Sequence, residues 1–134
     1  MMNTAWRLSD MAVTHIRAVR PDDSLREARA LMDGFNVDQV PILDAAGALV
    51  GIVNRRRLVH VRREDWRETS VRDIEWPQYE PTEVLRSPDT LLDSVFDYLF
   101  ENDFVLIAED GENVTGIVTI NDVAKFLYEQ ARQN

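Results

Sequence analysis

Thr119 and Asp122, in the segment GIVTIND at residues 116–122, are the residues whose types and spacing most suggest chemistry. A helix beginning near Thr119 would present unpaired backbone N–H groups and the positive end of its dipole, which suit a phosphate group. The Asp122 carboxylate could accept two hydrogen bonds from a vicinal diol such as that of ribose. The same spacing before an apolar run is also a capping box, which stabilises a helix by about 0.5–2 kcal/mol without any ligand. The local pattern therefore leaves both interpretations open.

A second segment, GIVNRRR at residues 51–57, opens with the same three residues and then continues differently. Asn54 takes the place of the hydroxyl residue, and Arg57 takes the place of the aspartate. Asparagine is an adequate N-cap, but an arginine in the first turn of a helix opposes the dipole by about 0.3–1 kcal/mol. Three interpretations compete: Arg57 forms an ordinary surface ion pair, Arg55 and Arg57 neutralise the phosphates of an anionic ligand, or the arginine run marks a partner surface.

These segments recur because most of the chain is repeated, with residues 8–62 matching residues 71–128. Each copy predicts a strand, a helix, two strands joined by a tight turn, and a closing helix, which in the first copy runs from Leu58 onward. A unit of this size buries too little surface alone, so we expect the two repeats to pack through their sheets as one pseudo-symmetric α+β body with ligand clefts at the interface. The predicted boundary places the first repeat in residues 1–68 and the second in residues 69–134.

The first long helix of each copy carries its own start signal. Ser24 with Glu27 has the spacing of a capping box in the first copy, and Thr90 with Asp93 has it in the second. The two short apolar runs that follow each helix are separated by DAAG in the first copy and by EDGE in the second. A glycine in each connection predicts a hairpin.

Composition excludes several classes of function. The formal net charge of -9 and pI near 4.6 disfavour nucleic acid as a partner. The chain has no cysteine, and its two histidines, His15 and His60, lack the spacing of metal ligands, so we expect no metal site and no catalytic residues. No apolar run is long enough to cross a membrane and no secretion signal is evident, which predicts a cytoplasmic protein.

The order and double occurrence of these motifs resemble the paired CBS domain, also called a Bateman module. The resemblance covers nearly the whole chain and is carried by LSDMAVTHIRAVRPDDSLREARALM, VDQVPILDAAGALVGIV, SVRDI, LRSPDTLLDSV and DGENVTGIVTINDVAKFL. It implies an adenosine-containing regulatory ligand, such as AMP, ADP, ATP or S-adenosylmethionine, in a cleft between the repeats. Family members commonly pair head to head, so a homodimer is also implied.

Family position implies the role of each site residue. The family pattern of glycine, an apolar residue, any residue, serine or threonine, two further residues and aspartate is intact only at residues 116–122. It implies that Thr119 meets phosphate and that Asp122 meets the ribose hydroxyls. The implied adenine walls are Val84, Phe104 and Val105, and the further phosphate contacts are Asn54, Arg55 and Arg57. The strand FVLIA lacks the proline that the corresponding QVPIL has, and EWPQYEP lengthens the approach to the second repeat, so the shape of the adenine pocket departs from the family.

The resemblance and the residues together predict a stand-alone sensor of energy status, which couples occupancy by an adenine nucleotide to contacts with a regulated protein that the sequence does not identify. No other cofactor and no enzymatic activity are expected. The alternative is an interaction scaffold, in which the ligand sites are degenerate and the repeats serve only assembly.

Overall fold

The computed structural model describes residues 5–133, so the first four residues and the last residue of the predicted repeats lie outside the described part of the chain. The fold is α+β, as predicted. Its helices are α1 (Leu25–Phe35), α2 (Arg55–Leu58), α3 (Pro81–Val84), α4 (Leu92–Asn102) and α5 (Ile120–Arg132). Its strands are β1 (Gln39–Leu43), β2 (Leu49–Asn54), β3 (Leu85–Arg86), β4 (Phe104–Ile107) and β5 (Gly116–Thr119).

The chain forms two compact units that do not follow one another in sequence. The first unit is Arg17–Glu80, and the second unit combines residues 5–16 with residues 81–133. This spatial division differs from the predicted repeat boundary between residues 68 and 69. The physical reason is that the motifs repeat in chain order, whereas the apolar side chains at the start of the chain are buried against the helices and strands near its end.

The first unit is built on an antiparallel hairpin of β1 and β2, with Val40 opposite Val53. Helix α1 begins where predicted, because the Ser24 hydroxyl accepts a hydrogen bond from the Glu27 N–H at 3.1 Å. The helix and the hairpin enclose one apolar core whose buried members are Val19, Leu25, Ala28, Met32, Val40, Ile42, Val53, Leu58, Trp66 and Val71.

Two predicted elements of the first repeat are shorter than expected. Its leading strand is reduced to a single parallel bridge between Val19 and Ile42. Its closing helix, expected from Leu58 onward, instead ends there as α2. The first turn of α2 has no acidic residue to offset three arginines, which disfavours a longer helix. The chain then turns so that the Trp66 indole can donate to the Val61 carbonyl oxygen at 2.9 Å.

The second unit contains a three-stranded sheet in the order β3, β4, β5. Its register sets Phe104 opposite Thr119 and Val105 opposite Val118, with β4 and β5 antiparallel. Gly111 in the β4–β5 connection has a φ of 80°, and Gly47 in the β1–β2 connection has a φ of 88°, so both predicted hairpin glycines occupy the conformation that glycine favours.

Residues 5–16 complete the second unit. The backbone groups of Val13 and Ile117 exchange two hydrogen bonds of 3.0 Å, which adds a bridge to the edge of β5. Leu8, with 0% of its surface exposed, packs with Met11 into the apolar core of the second unit. The other buried members of that core are Leu92, Val95, Leu99, Val105, Ile107, Val118 and Val123.

The predicted cap of α4 is wrong. The helix begins at Leu92 with Leu91 as its N-cap, and no side chain caps it. The Leu8 N–H donates to the Thr90 carbonyl oxygen, and the Leu92 N–H donates to the Trp6 carbonyl oxygen, both at 2.9 Å. Backbone pairing with residues 5–16 therefore takes the place of the side-chain cap that Thr90 and Asp93 would have formed.

The two Gly-Ile-Val segments predict different tolerances for a methyl group. A Cβ at Gly116 would meet the Val13 carbonyl oxygen at 3.2 Å, whereas a Cβ at Gly51 would meet the terminal methyl of Ile42 at 3.0 Å. A flexible side chain can move away more easily than a hydrogen-bonded backbone. We expect Gly116→Ala to lower the free energy of unfolding by about 1–3 kcal/mol and Gly51→Ala to lower it by less. Urea denaturation followed by circular dichroism measures both, and equal losses would contradict the explanation.

Candidate functional site

Thr119 lies at the junction where strand β5 ends and helix α5 begins. Its Oγ1 accepts a hydrogen bond from the Asp122 N–H at 3.1 Å. With 4% of its surface exposed, Thr119 is the one buried polar residue among residues 5–133. Its hydroxyl donates to no atom of the described chain, so its hydrogen is not committed to a protein acceptor.

Asp122 completes a reciprocal capping box with Thr119. Its Oδ2 accepts a hydrogen bond from the Thr119 N–H at 2.8 Å. The cap predicted from the spacing is therefore present. Within the described residues, Oδ1 of Asp122 accepts no hydrogen bond. Because the side chain is half-buried and not fully enclosed, this second oxygen remains able to accept hydrogen bonds from a ligand.

The backbone N–H groups at the start of α5 are more fully used than the sequence predicts. The N–H groups of Thr119 and Asp122 each donate to the side chain of the other residue. The Ile120 N–H donates to the Asp103 carbonyl oxygen at 3.0 Å. Among the described residues, only Asn121 in this turn has an N–H without an acceptor. The expectation of several unpaired N–H groups for a phosphate is therefore wrong, because the protein itself caps the helix.

Asp103 is a residue of this site that the sequence analysis missed. It follows the last residue of α4 with a φ of 74° and a ψ of -38°, a conformation that costs a non-glycine residue of order 1–3 kcal/mol. This conformation accompanies the abrupt passage from α4 into β4, which begins at Phe104. The signal in the sequence was the pair Asn102–Asp103 at the end of the helical pattern, because Asn and Asp tolerate positive φ better than most residues.

The three predicted adenine walls are buried and do not share one face. Phe104 is paired directly with Thr119 across the ladder, which places the two side chains on the same face of the sheet. Val105 points to the opposite face, where it belongs to the apolar core of the second unit. Val84, in α3, has 0% of its surface exposed and Phe104 has 4%. Phe104 is therefore the one of the three that the register places beside Thr119.

In the first unit, Asn54 and Arg57 form the counterpart of this junction. The Asn54 Oδ1 accepts a hydrogen bond from the Arg57 N–H at 3.0 Å, so Asn54 caps α2 as Thr119 caps α5. Arg57 Nε donates to the Glu75 carbonyl oxygen at 3.2 Å. Within the described residues Arg57 forms no ion pair with a carboxylate, so the surface ion pair first considered for it is absent there.

Arg55, by contrast, is committed to the structure of its own unit. Its guanidinium contacts Asp33 at 2.9 Å and Asp38 at 3.0 Å and also donates to the Val37 carbonyl oxygen. These bonds join the start of α2 to the end of α1. The hydrogen bonds from Arg55, and then from Arg29, lower the pKa of the Asp33 carboxyl below its usual value. Arg57 is therefore the better candidate of the two for contact with an anion.

Residues 5–133 contain neither a cluster of metal ligands nor a membrane-spanning helix. No group of three or more His, Cys, Asp or Glu side chains in residues 5–133 is arranged to hold a metal ion. Within the same residues, no helix has the length and apolar character that crossing a membrane requires.

The family model described as the CBS domain matches residues 8–64 of this chain. Two curated relatives are similar along most of this chain. An uncharacterized 17.7 kDa protein of Acidianus ambivalens is 28% identical over 93% of this chain and 75% of its own length. The A-adding tRNA nucleotidyltransferase of Geobacter sulfurreducens is 24% identical over 100% of this chain. The chain spans only 15% of the length of that relative.

Solved structures share the fold. A putative acetoin utilization protein of Vibrio cholerae superimposes with a TM-score of 0.76 at 22% identity, over 96% of this chain and 97% of its own. The CbpB protein of Listeria monocytogenes, in complex with c-di-AMP, gives a TM-score of 0.67 at 17% identity, over 95% of this chain and 98% of its own. The CBS domain of a bacterial CNNM/CorC family Mg²⁺ transporter, in complex with ATP, gives 0.64 at 19% identity, over 89% of this chain and 84% of its own.

Proposed function

We propose that this chain, whose residues 8–64 match the CBS domain model, is a regulatory module of the CBS-domain family and binds an adenosine-containing ligand at the junction of β5 and α5. Two solved structures of this fold contain ATP and c-di-AMP, which supports an adenine base as part of the ligand. The two repeats predicted from the sequence, residues 1–68 and 69–134, are part of this proposal.

The observation that carries the proposal is the hydroxyl of Thr119. Thr119 is buried, and its hydroxyl donates to no atom of the described chain. The Thr119 Oγ1 is already paired with the Asp122 N–H, so an acceptor from a ligand would add a second hydrogen bond, which contributes about 0.5–1.5 kcal/mol. The uncommitted Oδ1 of Asp122 adds an acceptor three residues along the same helix turn. The pair therefore offers one donor to a phosphate or ribose oxygen and one acceptor to a ribose hydroxyl.

The occupied N–H groups at the start of α5 refine the predicted role of the aspartate. Because three of these groups are already bonded, the junction suits a ribose diol better than a highly charged phosphate. In the proposal, Asp122 binds ribose, Thr119 contributes a single hydrogen bond, and Phe104 supplies the apolar surface on the face that it shares with Thr119. Asn54, Arg55 and Arg57 remain the proposed phosphate contacts. Arg57 would supply the positive charge and Asn54 a neutral hydrogen bond. Arg55 is less suited because it is paired with Asp33 and Asp38.

A binding screen tests the proposal. Thermal unfolding is measured with AMP, ADP, ATP, c-di-AMP and S-adenosylmethionine, and with GMP, GDP and GTP as matched controls for phosphate and ribose. A ligand at about 100 times its dissociation constant stabilises the folded state by about 2.7 kcal/mol. We expect at least one adenosine ligand to raise the melting temperature and its guanosine counterpart to raise it less. Equal responses to both bases, or no response to any ligand, would contradict the proposal.

A second candidate is an interaction scaffold, which the completed cap supports. Thr119 and Asp122 satisfy each other through two hydrogen bonds without any ligand, and Arg57 replaces the aspartate in the other junction. In a scaffold these residues would act only as helix caps, and the protein would work as a homodimer that holds a regulated partner. The binding screen separates the two candidates, since a scaffold shows no melting-temperature response to adenosine ligands.

A further inference from the structure

The surface of the first unit carries a groove of about 710 Å³ between one side of helix α1 and the segment of residues 63–68. We call it the arginine groove, because four arginines line it together with the indole of Trp66; they are Arg26, Arg29, Arg63 and Arg67. All of its lining residues belong to the first unit, and none of them is proposed to contact the nucleotide. The groove is therefore a feature of the first unit by itself.

The two walls of the arginine groove are joined to each other. The Arg26 backbone N–H, in α1, donates to the Trp66 carbonyl oxygen at 3.2 Å. The guanidinium groups of Arg29 and Arg63 lie 5.4 and 5.6 Å from the centre of the Trp66 ring, within the range of cation–π attraction. These contacts hold the walls in place before any partner binds, which reduces the entropy cost of binding.

The arginine groove has more uncommitted positive charge than negative charge. Three of its arginines are exposed and form no ion pair within residues 5–133; they are Arg26, Arg63 and Arg67. Of the three carboxylates in the lining, Asp33 and Glu64 are already paired with arginines. Glu68 is the third, and it forms no ion pair in the same part of the chain. Three uncommitted guanidinium groups are thus offset by one carboxylate, in a protein whose formal net charge is -9.

The composition of the arginine groove favours an acidic polypeptide over other anions. Seven of the nine residues that line it are charged, whereas sites for small molecules are lined mostly by apolar side chains. The carboxylates of the groove and the net charge of the protein would repel the continuous phosphate backbone of a nucleic acid. An acidic polypeptide can instead place separate carboxylates beside the guanidinium groups, with which they form paired hydrogen bonds.

We infer that the arginine groove binds an acidic segment of a partner protein. The uncommitted arginines pair with carboxylates of that segment, and the Trp66 indole lies among them, as is usual where a few Trp and Arg side chains contribute most of the binding free energy. The identification of this partner as the regulated protein rests on the proposed function. The contact itself requires no nucleotide.

Fluorescence anisotropy of labelled octaglutamate tests the inference on the intact chain in the absence of nucleotide. We expect saturable binding that weakens between about 0.1 M and about 1 M salt, because the Debye length falls from about 10 Å to about 3 Å. Arg26→Glu/Arg67→Glu should weaken binding about tenfold or more. Glutamate at the start of α1 suits the helix dipole, so this variant should remain folded.

The matched control changes the same amount of charge elsewhere. Arg56 and Lys125 are exposed and lie outside the arginine groove. Arg56→Glu/Lys125→Glu should therefore weaken binding of octaglutamate by less than about threefold, through the general effect of net charge alone.

Removal of the uncommitted carboxylate of the groove should have the opposite effect. Glu68→Gln is expected to tighten binding of octaglutamate about threefold, because it removes a like charge close to the bound peptide. Glu112→Gln removes an exposed carboxylate outside the groove and should leave the affinity unchanged. Partial unfolding cannot produce a gain of affinity, so this pair decides the question even if the arginine reversal lowers the melting temperature. Equal affinities of the two variants would contradict the inference.

Four further results would overturn it. The first is no saturable binding of octaglutamate at any salt concentration tested. The second is equal weakening by the groove reversal and its matched control. The third is a thymidine oligonucleotide of the same charge that binds as tightly as octaglutamate, because the groove would then attract any polyanion. The fourth is a peptide affinity that falls as the protein concentration rises, because a second copy of the chain would then cover the groove. The nucleotide screen can fail without changing any of these results, so the two tests are independent.

Discussion

Leu8→Ala is expected to lower the free energy of unfolding by about 2–5 kcal/mol, which is the largest effect on stability that we predict. The Leu8 side chain has 0% of its surface exposed and packs with Leu92, Val95 and Leu99 in the core of the second unit. Truncation removes the transfer free energy of the side chain and leaves a cavity that the surrounding helices only partly fill.

The matched control for Leu8→Ala is Leu91→Ala. Both replacements remove the same atoms from the second unit, but 39% of the Leu91 surface is already exposed. Its replacement should cost less than about 1 kcal/mol. Urea denaturation followed by circular dichroism and tryptophan fluorescence gives both values. Equal losses would show that residues 5–16 are not an integral part of the second unit.

Asp122→Ala is expected to weaken binding of the adenosine ligand about 10- to 100-fold. A hydrogen bond to a charged group contributes about 1.5–3 kcal/mol, and the carboxylate is the proposed acceptor of the ribose hydroxyls. The replacement also breaks the capping box, because Oδ2 accepts the Thr119 N–H at 2.8 Å. Stability should therefore fall by about 0.5–2 kcal/mol even without ligand. Isothermal titration calorimetry and thermal unfolding measure the two effects separately.

The first unit offers the control for this experiment. Ser24 caps α1 through the corresponding hydrogen bond, accepting the Glu27 N–H at 3.1 Å as Thr119 accepts the Asp122 N–H at 3.1 Å, although its own hydroxyl also donates to the Glu27 carboxylate. Ser24→Ala should lower stability to a similar extent and leave ligand affinity unchanged. If Ser24→Ala weakens binding as much as Asp122→Ala does, the loss reflects stability alone. In that case Asp122 is only a helix cap.

Local features of this chain could be predicted well from its sequence, because the interactions that create them span a few residues. The cap at Ser24, the capping box at Thr119 and Asp122, and the positive φ of Gly47 and Gly111 all follow from residue type and spacing. The α+β order of helices and strands follows from periodicity for the same reason.

Features that depend on distant parts of the chain could not be predicted in this way. The start of α4 is fixed by backbone pairing with residues 5–16, not by the Thr90 side chain. The same long-range packing assigns residues 5–16 to the second unit. In the site, the Asp103 carbonyl oxygen takes the Ile120 N–H, and the ladder register turns Val105 away from Thr119. No local pattern contains this information.

The discontinuous second unit has a consequence for folding during synthesis. The first unit is one continuous stretch, Arg17–Glu80, so all of its residues are made before residue 81. Leu8 and Met11 emerge earlier, yet their apolar partners Leu92, Val95 and Leu99 are made only after the whole first unit. Until then Leu8 and Met11 lack the apolar partners that bury them in the folded second unit. Formation of the second unit therefore joins residues 5–16 to residues 81–133 across the whole of the first unit, and the entropy cost of this closure grows only slowly with the length of the intervening chain.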